Sequence, residues 1–226
     1  MNRKKYSLGD YNKKQENQDA TKFFIVYEGN VKEPNYFEAF NETFLDRKTA
    51  YIHHILENNT GVVGNTPLKL KERVESFIKN PPKDIKVTPT IEDKYRLVLD
   101  VDKHPDAQII EVKNFCNQLG DAKLFISNYC FEVWLWAHLH DLDKIESTKS
   151  AEIKTELGTI QTGIYPFCFM NITLINDAIK RSEMADVDKD NYFPVIKSTK
   201  VYLLIQELLS YSLINKEVIE PQTLEE

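Results

Sequence analysis

Two of the most apolar runs in the chain are followed directly by acidic residues. Glu28 comes after the run at residues 23–27, and Asp100 and Asp102 close the run that begins at residue 95. Glu33 lies one turn beyond Glu28. Carboxylates without a cysteine or a convergent histidine favour Mg²⁺ or Mn²⁺ over zinc. Around such an ion they can neutralise a phosphodiester, activate water and hold a leaving oxygen.

These acids have to converge from distant parts of the chain. Side chains two apart in a strand point to the same side, roughly 6.5–7 Å from each other, which puts Asp100 and Asp102 on one face. Glu28 joins them if the first and third strands are neighbours. Crowded carboxylates repel, and their pKa values rise unless a cation compensates. Taken singly, each motif is equally typical of an ordinary strand end or polar loop, and that alternative stays open.

The elements that must position the acids alternate between strand and helix. Apolar runs predict strands at residues 23–27, 51–56, 95–102 and 123–126. Helical spacing predicts helices that begin near Pro34, Pro67 and Asp106 and across residues 130–140. Further helices are predicted near residues 146–156, 172–184 and 199–214. This alternation favours a parallel sheet with right-handed crossovers and a site at the carboxyl ends of its strands.

We therefore expect three parts. Residues 1–20 are polar and basic and predict a flexible tail, with a phosphate-contacting arm as the alternative. Residues 21–140 are predicted to hold the α/β core. Residues 141–226 are predicted as a helical C-terminal extension packed on that core.

The composition is that of a globular protein. The chain has 226 residues, of which 42% are hydrophobic and 28% charged, with only 7 glycines. These values exclude disordered and collagen-like classes. The net charge of −6 excludes a basic footprint over the whole surface, but a local basic patch remains compatible with it. Three scattered cysteines fit a reducing cytoplasm, and we expect a cytoplasmic protein without signal peptide, membrane span or membrane partner.

Three ordered blocks of the sequence resemble the RloB-like family. Residues 24–37 are similar to the opening signature of that family, and residues 97–104 to its Asp-x-Asp segment. Residues 127–138 resemble its Ser-Asn-x-x-Phe-Glu-x-Trp-Leu block. Residues 198–202 match the start of the closing helix more loosely. The resemblance covers about residues 23–205, and the blocks are specific in combination.

The resemblance implies a Toprim-like parallel sheet flanked by helices, the α/β metal-binding fold of topoisomerases, primases and OLD-family nucleases. In that fold a glutamate after the first strand and an Asp-x-Asp after the third form the catalytic site, which gives Glu28, Asp100 and Asp102 here. Glu33 and Glu132 match further acids of the family pattern. The family is associated with prokaryotic anti-phage defence, including abortive infection, often beside an ABC-type ATPase partner.

Two further residues and one segment bear on the site. Glu132 lies among apolar residues, where an unpaired charge is costly, and we expect it to meet a metal, a cation or a helix terminus. His104 either contacts phosphate or orients water, or it is an ordinary loop histidine. Related nucleases often carry a basic residue after the tryptophan-containing helix, but residues 157–170 contain no lysine or arginine. The lysines just before that segment are Lys144, Lys149 and Lys154.

The function expected from these residues is Mg²⁺-dependent (or Mn²⁺-dependent) cleavage of nucleic acid, either RNA such as tRNA or DNA. Asp100 and Asp102 would hold the metal together with Glu33. Glu28 would bind metal or act as a general base toward water, and Glu132 would complete or orient the site. Nucleotidyl transfer needs the same acids and is the alternative within enzymes. The alternative outside enzymes is a sensor or binding subunit that regulates an ATPase partner.

Overall fold

The sheet of this protein is seen in a computed structural model that describes residues 20–83, 88–101 and 104–212. The strands of these residues are β1 (Thr21–Tyr27), β2 (Ala50–Ile55), β3 (Lys94–Asp100), β4 (Asp121–Asn128) and β5 (Ser198–Thr199). They form one sheet in the order β2-β1-β3-β4-β5. The first four strands are parallel, whereas β5 pairs antiparallel with β4. The α/β class and the mostly parallel sheet are as the sequence predicts.

Helices connect and cover the strands. Those of the described residues are α1 (Lys32–Phe44), α2 (Glu57–Thr60), α3 (Pro67–Lys79), α4 (Asp106–Gln118), α5 (Glu132–Ala137), α6 (Ser150–Ile160), α7 (Ile172–Ala185) and α8 (Val201–Leu209). Pro67 takes the first position of α3, where its missing N–H costs nothing, as the sequence predicts. None of these helices has the length and apolar character that a bilayer crossing requires.

Both faces of the sheet are buried, which explains why its strands read as continuous apolar runs. In β1, Phe24 and Val26 pack with α3 and α4 on one face. Phe23, Ile25 and Tyr27 pack on the other face, in a core shared with α1 and with α5 to α8. The molecule therefore has three layers, with the sheet in the middle.

The order of the strands creates a switch point between β1 and β3. The chain leaving β1 enters α1 on one face of the sheet and then forms β2, which is the neighbour of β1 on the side away from β3. The chain leaving β3 enters α4 on the opposite face and then forms β4, which is the neighbour of β3 on the side away from β1. Because the two connections diverge, a crevice opens at the carboxyl ends of β1 and β3, which is where open α/β sheets bind ligands.

The structure corrects several sequence-based bounds. The helix predicted across residues 130–140 is limited to α5, and turns follow it. The helix predicted near residues 146–156 begins only at Ser150. Residue 199, the predicted start of the last helix, belongs to the unpredicted strand β5. The tail predicted at residues 1–20 lies, except for residue 20, outside the described residues, as does the end of the last predicted helix beyond residue 212.

Candidate functional site

A cleft of about 350 Å³ opens at the carboxyl ends of β1 and β3. Most of its wall is residues 28–33, which join β1 to α1 and form the start of α1, and the rest comes from four other parts of the chain. The residues that line it are Glu28, Gly29, Asn30, Val31, Lys32, Glu33, Asn65, Asp100, Glu132 and Lys154. The cleft therefore combines four carboxylates with two lysines and two asparagines.

Glu28 is held at the rim of the sheet by both neighbouring strands. Its backbone N–H donates to Val98 O at 3.1 Å, which extends the pairing of β1 with β3 by one residue. Its Oε2 accepts from the backbone N–H of Asp100 at 3.0 Å. Its Oε1 lies 2.9 Å from Nε2 of His104. The side chain thus bridges the two strand ends, and His104 fixes its orientation.

Asp100 and Glu33 are buried carboxylates within the field of the other acids. Asp100 is the last residue of β3 and is 8% exposed, and Glu33, in the first turn of α1, is 7% exposed. Burial raises the pKa of Asp100 well above its usual value, and the charges of Glu28, Glu33 and Glu132 raise it further. Burial is also the main cause of the raised pKa of Glu33, to which Glu132 and Glu28 add.

Gly29 makes room for Glu33. A Cβ placed on Gly29 would collide with both carboxylate oxygens of Glu33. Because glycine has no side chain, the carboxylate of Glu33 can lie directly against the backbone of residue 29. The glycine after β1 therefore sets the position of an acid four residues later.

Glu132 is paired with lysines, and a cation is one of the three partners (a metal, a cation or a helix terminus) expected from its apolar neighbours in the sequence. It is 3% exposed, and its Oε1 accepts from Lys32 Nζ at 2.8 Å. Lys154 Nζ lies 3.8 Å from Oε2. The hydroxyl of Tyr165 donates to the backbone oxygen of Lys32 at 2.5 Å and ties the start of α1 to the segment after α6. Two ammonium groups on the cleft wall thus face one buried carboxylate.

Another part of the wall is organised by Arg73, a fully buried residue of α3. Its guanidinium donates to Tyr27 O at 3.0 Å and to Val62 O at 3.2 Å. It also donates to Asn65 Oδ1 at 3.2 Å, to Glu57 Oε1 at 2.7 Å and to the backbone oxygen of Gly64. Arg73 therefore joins the end of β1 to the loop at residues 62–65.

The structure brings four of the five acids predicted from the sequence to this cleft, namely Glu28, Glu33, Asp100 and Glu132. Asp102 lies outside the described residues. Sequence reasoning missed Lys32, Asn30 and Asn65, and it noted Lys154 only as a neighbour without a role. A buried Glu132 needs a cation nearby, and this requirement was the one sequence signal that could have pointed to Lys32 and Lys154.

Within residues 20–83, 88–101 and 104–212, no three His, Cys, Asp or Glu side chains are arranged as a ready set of metal ligands. The donor chemistry nevertheless fits a hard divalent cation. Asp100 and Glu33 are buried and have raised pKa values, and among the described residues that line the cleft only carboxylates and amides carry side-chain oxygens. Burial is the main cause of those raised pKa values, and a cation would offset both the cost of burying the charges and their mutual repulsion.

The fold and the cleft define a class: an α/β protein with an acidic cleft at the switch point of a mostly parallel sheet. A sequence model described as RloB-like protein matches residues 23–208, which is most of the chain. The chain therefore belongs to the RloB-like protein family. A search of curated proteins and a search of solved structures each found no match.

Proposed function

We propose that this protein is a divalent-metal-dependent nuclease of the Toprim type that acts in prokaryotic anti-phage defence. The observation that carries the proposal is the burial of Asp100 beside Glu28, Glu33 and Glu132, with a pKa raised by that environment. Strongly perturbed carboxylates in a cleft are typical of sites that do chemistry. Membership of the RloB-like family supports the proposal, because these acids match the family pattern.

Mg²⁺ or Mn²⁺ is the proposed cofactor. Asp100, Glu28 and Glu33 would hold it, together with Asp102. When bound, such an ion supplies Lewis-acid polarisation of a phosphodiester and makes water more acidic. Oxygen ligands of this kind suit Mg²⁺ and Mn²⁺ better than softer metals.

The chain's own residues can supply the rest of the chemistry. Lys32 and Lys154 are positioned to neutralise a phosphodiester that enters the cleft, since both ammonium groups lie on its wall. Glu28 can bind metal or accept a proton from water, and its contact with His104 fixes the direction in which it does so. Glu132 would hold the two lysines in place through its ion pairs.

The test is a cleavage assay on tRNA, single-stranded RNA and plasmid DNA, with Mg²⁺, with Mn²⁺ and with EDTA. We expect at least one substrate to be cut in a metal-dependent way. Asp100→Asn should abolish cleavage while the far-ultraviolet circular dichroism stays unchanged. Asp143→Asn is the matched control, because Asp143 is exposed and lies outside the cleft. Wild-type rates of cleavage by Asp100→Asn would overturn the assignment.

One observation favours a second candidate, a non-catalytic binding subunit for an ABC-type ATPase. Glu28 already has a hydrogen-bond partner in His104, and Glu132 has an ion-pair partner in Lys32, as in a site that binds without turnover. The same assays, repeated with a candidate ATPase from the same locus, separate the two. Stable complex formation without any cleavage favours the subunit, and metal-dependent turnover favours the nuclease.

A further inference from the structure

The loop at residues 62–65 is held as a unit by a buried charge. Arg73 is fully buried, yet its guanidinium donates to oxygens of Val62, Gly64 and Asn65. The carboxylate of Glu57 balances this charge, and its Oε1 also accepts from the backbone N–H of Gly64 at 2.9 Å. A buried arginine with so many acceptors fixes the position of everything it contacts.

The contact with Arg73 determines which way the Asn65 amide faces. A guanidinium has only donors, so the atom of Asn65 that faces it must be the oxygen. The Nδ2 group therefore points away from Arg73. Asn65 is exposed and lines the cleft, and no partner of its Nδ2 is seen among the residues that the structure describes. Two N–H donors are thus available to a molecule in the cleft.

We propose that Asn65 is a substrate-binding residue that donates to a non-bridging phosphate oxygen, and that Arg73 is its positioning residue. The inference rests on the proposed function and assigns a substrate contact within it. The four carboxylates of the cleft repel a phosphate, so a phosphate that enters needs hydrogen-bond donors, and the amide of Asn65 can provide them. Hydrogen bonds to phosphate position nucleic acid without reading its sequence.

Asn65→Asp tests the contact with little change in shape. The aspartate keeps an oxygen toward Arg73, so the loop should stay in place, but it removes both donors. In the non-cleaving Asp100→Asn protein, we expect it to weaken binding of fluorescein-labelled single-stranded RNA and DNA by about 10-fold or more. Fluorescence anisotropy with oligonucleotides of several sequences measures the loss, which should be similar for all of them.

Asn114→Asp is the matched control. Asn114 is an exposed residue of α4 that does not line the cleft, and its substitution makes the same change in charge. We expect it to leave binding of the labelled oligonucleotides unchanged.

Arg73→Lys tests the positioning role through a double-mutant cycle. Lysine keeps the charge but cannot reach all the oxygens that the guanidinium contacts. We expect Arg73→Lys to weaken oligonucleotide binding when position 65 is the native asparagine. In a protein that already carries Asn65→Ala, Arg73→Lys should have no further effect on binding. A purely structural defect would weaken binding in both backgrounds, and that result would overturn the positioning role.

Three outcomes overturn the substrate contact. The first is that Asn65→Asp binds the oligonucleotides as tightly as the Asp100→Asn parent does. The second is that binding weakens only for particular base sequences, which would indicate a base contact. The third is that the Asp100→Asn parent binds no oligonucleotide at all. The cleavage assay of the wild-type protein is independent of this test. If the wild type cleaves nucleic acid but Asn65→Asp leaves oligonucleotide binding unchanged, the phosphate contact is refuted and the nuclease proposal is kept. If Asn65→Asp weakens binding but the wild type cleaves nothing, the contact is kept and the nuclease proposal is refuted.

Discussion

Asp100 is placed where an ionised carboxylate is costly. It is buried at the end of β3, and three other acids raise its pKa by their charge. Proteins keep such groups where the cost serves a ligand or a reaction, at the expense of stability in the free state. Asp100 should therefore be required for activity and at the same time lower the stability of the ion-free protein.

Asp100→Asn should raise the melting temperature in EDTA, by roughly 2–4 °C for each kcal/mol of repulsion removed. Because the folded-state pKa of Asp100 lies above its unfolded value, its cost to folding is fully present above the folded pKa, shrinks as the pH falls from there and is gone below the unfolded pKa. The gain from Asp100→Asn should thus be larger at neutral than at acid pH. Thermal melts over a pH series measure it, and a gain that grows toward acid pH would contradict the sign.

Gly29→Ala tests the placement of Glu33. The added methyl group would collide with the carboxylate of Glu33, a flexible side chain that can move, so we expect metal affinity and cleavage to fall about 10-fold while the fold is kept. Calorimetry with Mn²⁺ and the cleavage assay measure the effect. Gly158→Ala is the control, because a Cβ there meets open space on α6 and should stabilise the protein by about 0.5–1 kcal/mol. Equal activity of both variants would show that Glu33 has no role.

Two residues of the site illustrate what sequence can and cannot predict. Glu28 could be found because it ends an apolar run, and the turn glycine follows it at once. Lys32 could not be assigned, because its partner Glu132 is 100 positions away and only the fold brings the two together. Local pattern identifies a strand end, whereas a long-range ion pair depends on how the elements pack.

At the scale of elements, a buried ion pair joins the end of α7 to the start of α8. Lys200 Nζ lies 2.6 Å from each carboxylate oxygen of Asp186, and both side chains are almost fully buried. Tyr202 donates to the same carboxylate at 2.8 Å. The backbone N–H of Lys200 donates to Ile126 O, so this pair also helps to hold the chain at the edge of β4.

Lys200→Met should destabilise the fold by about 3–5 kcal/mol, because it leaves the buried charge of Asp186 without its cationic partner and with only the hydroxyl of Tyr202 to stabilise it. The double variant Lys200→Met/Asp186→Asn should recover much of this loss, since asparagine is neutral and still accepts from Tyr202. Urea unfolding measures both free energies. If Lys200→Met alone is as stable as the wild type, this ion pair does not hold α7 and α8 together.

The strands were more predictable than the short elements. β1 is buried on both faces, so its five consecutive apolar residues identify it without further context. β5 has only two residues, and no periodicity can be read from so short a segment. It becomes a strand because Ser198 and Thr199 pair with the edge of β4.

At the scale of the whole molecule, one core spans the proposed boundary at residue 140. Helices from both sides of it, α1 and α5 before and α6 to α8 after, pack against the same face of the sheet. The sequence could predict the α/β alternation and the rim where the acids meet. It predicted a helical extension packed on the core, but it could not predict that α6 to α8 share one layer with α1 and α5, because their apolar faces do not specify which face of the sheet they cover.

A chain that ends at residue 140 should not fold cooperatively. Without α6 to α8, one face of the sheet would lose much of its apolar cover, and the remaining surface would favour aggregation. The full-length chain is the control, and a calorimetric melt of both compares their transitions. A sharp transition in the shorter chain would support residues 21–140 as an independent domain.

Binding of one divalent ion by the acids at the ends of β1 and β3 underlies every role proposed for the cleft. It can be measured by calorimetric titration of Mn²⁺ into the wild type, Asp100→Asn, Glu28→Gln and the exposed control Asp143→Asn. We predict saturable binding at one site in the wild type and in Asp143→Asn, and none in the two cleft variants. Absence of saturable binding in the wild type, or equal binding by all four proteins, would show that these acids do not form a metal site.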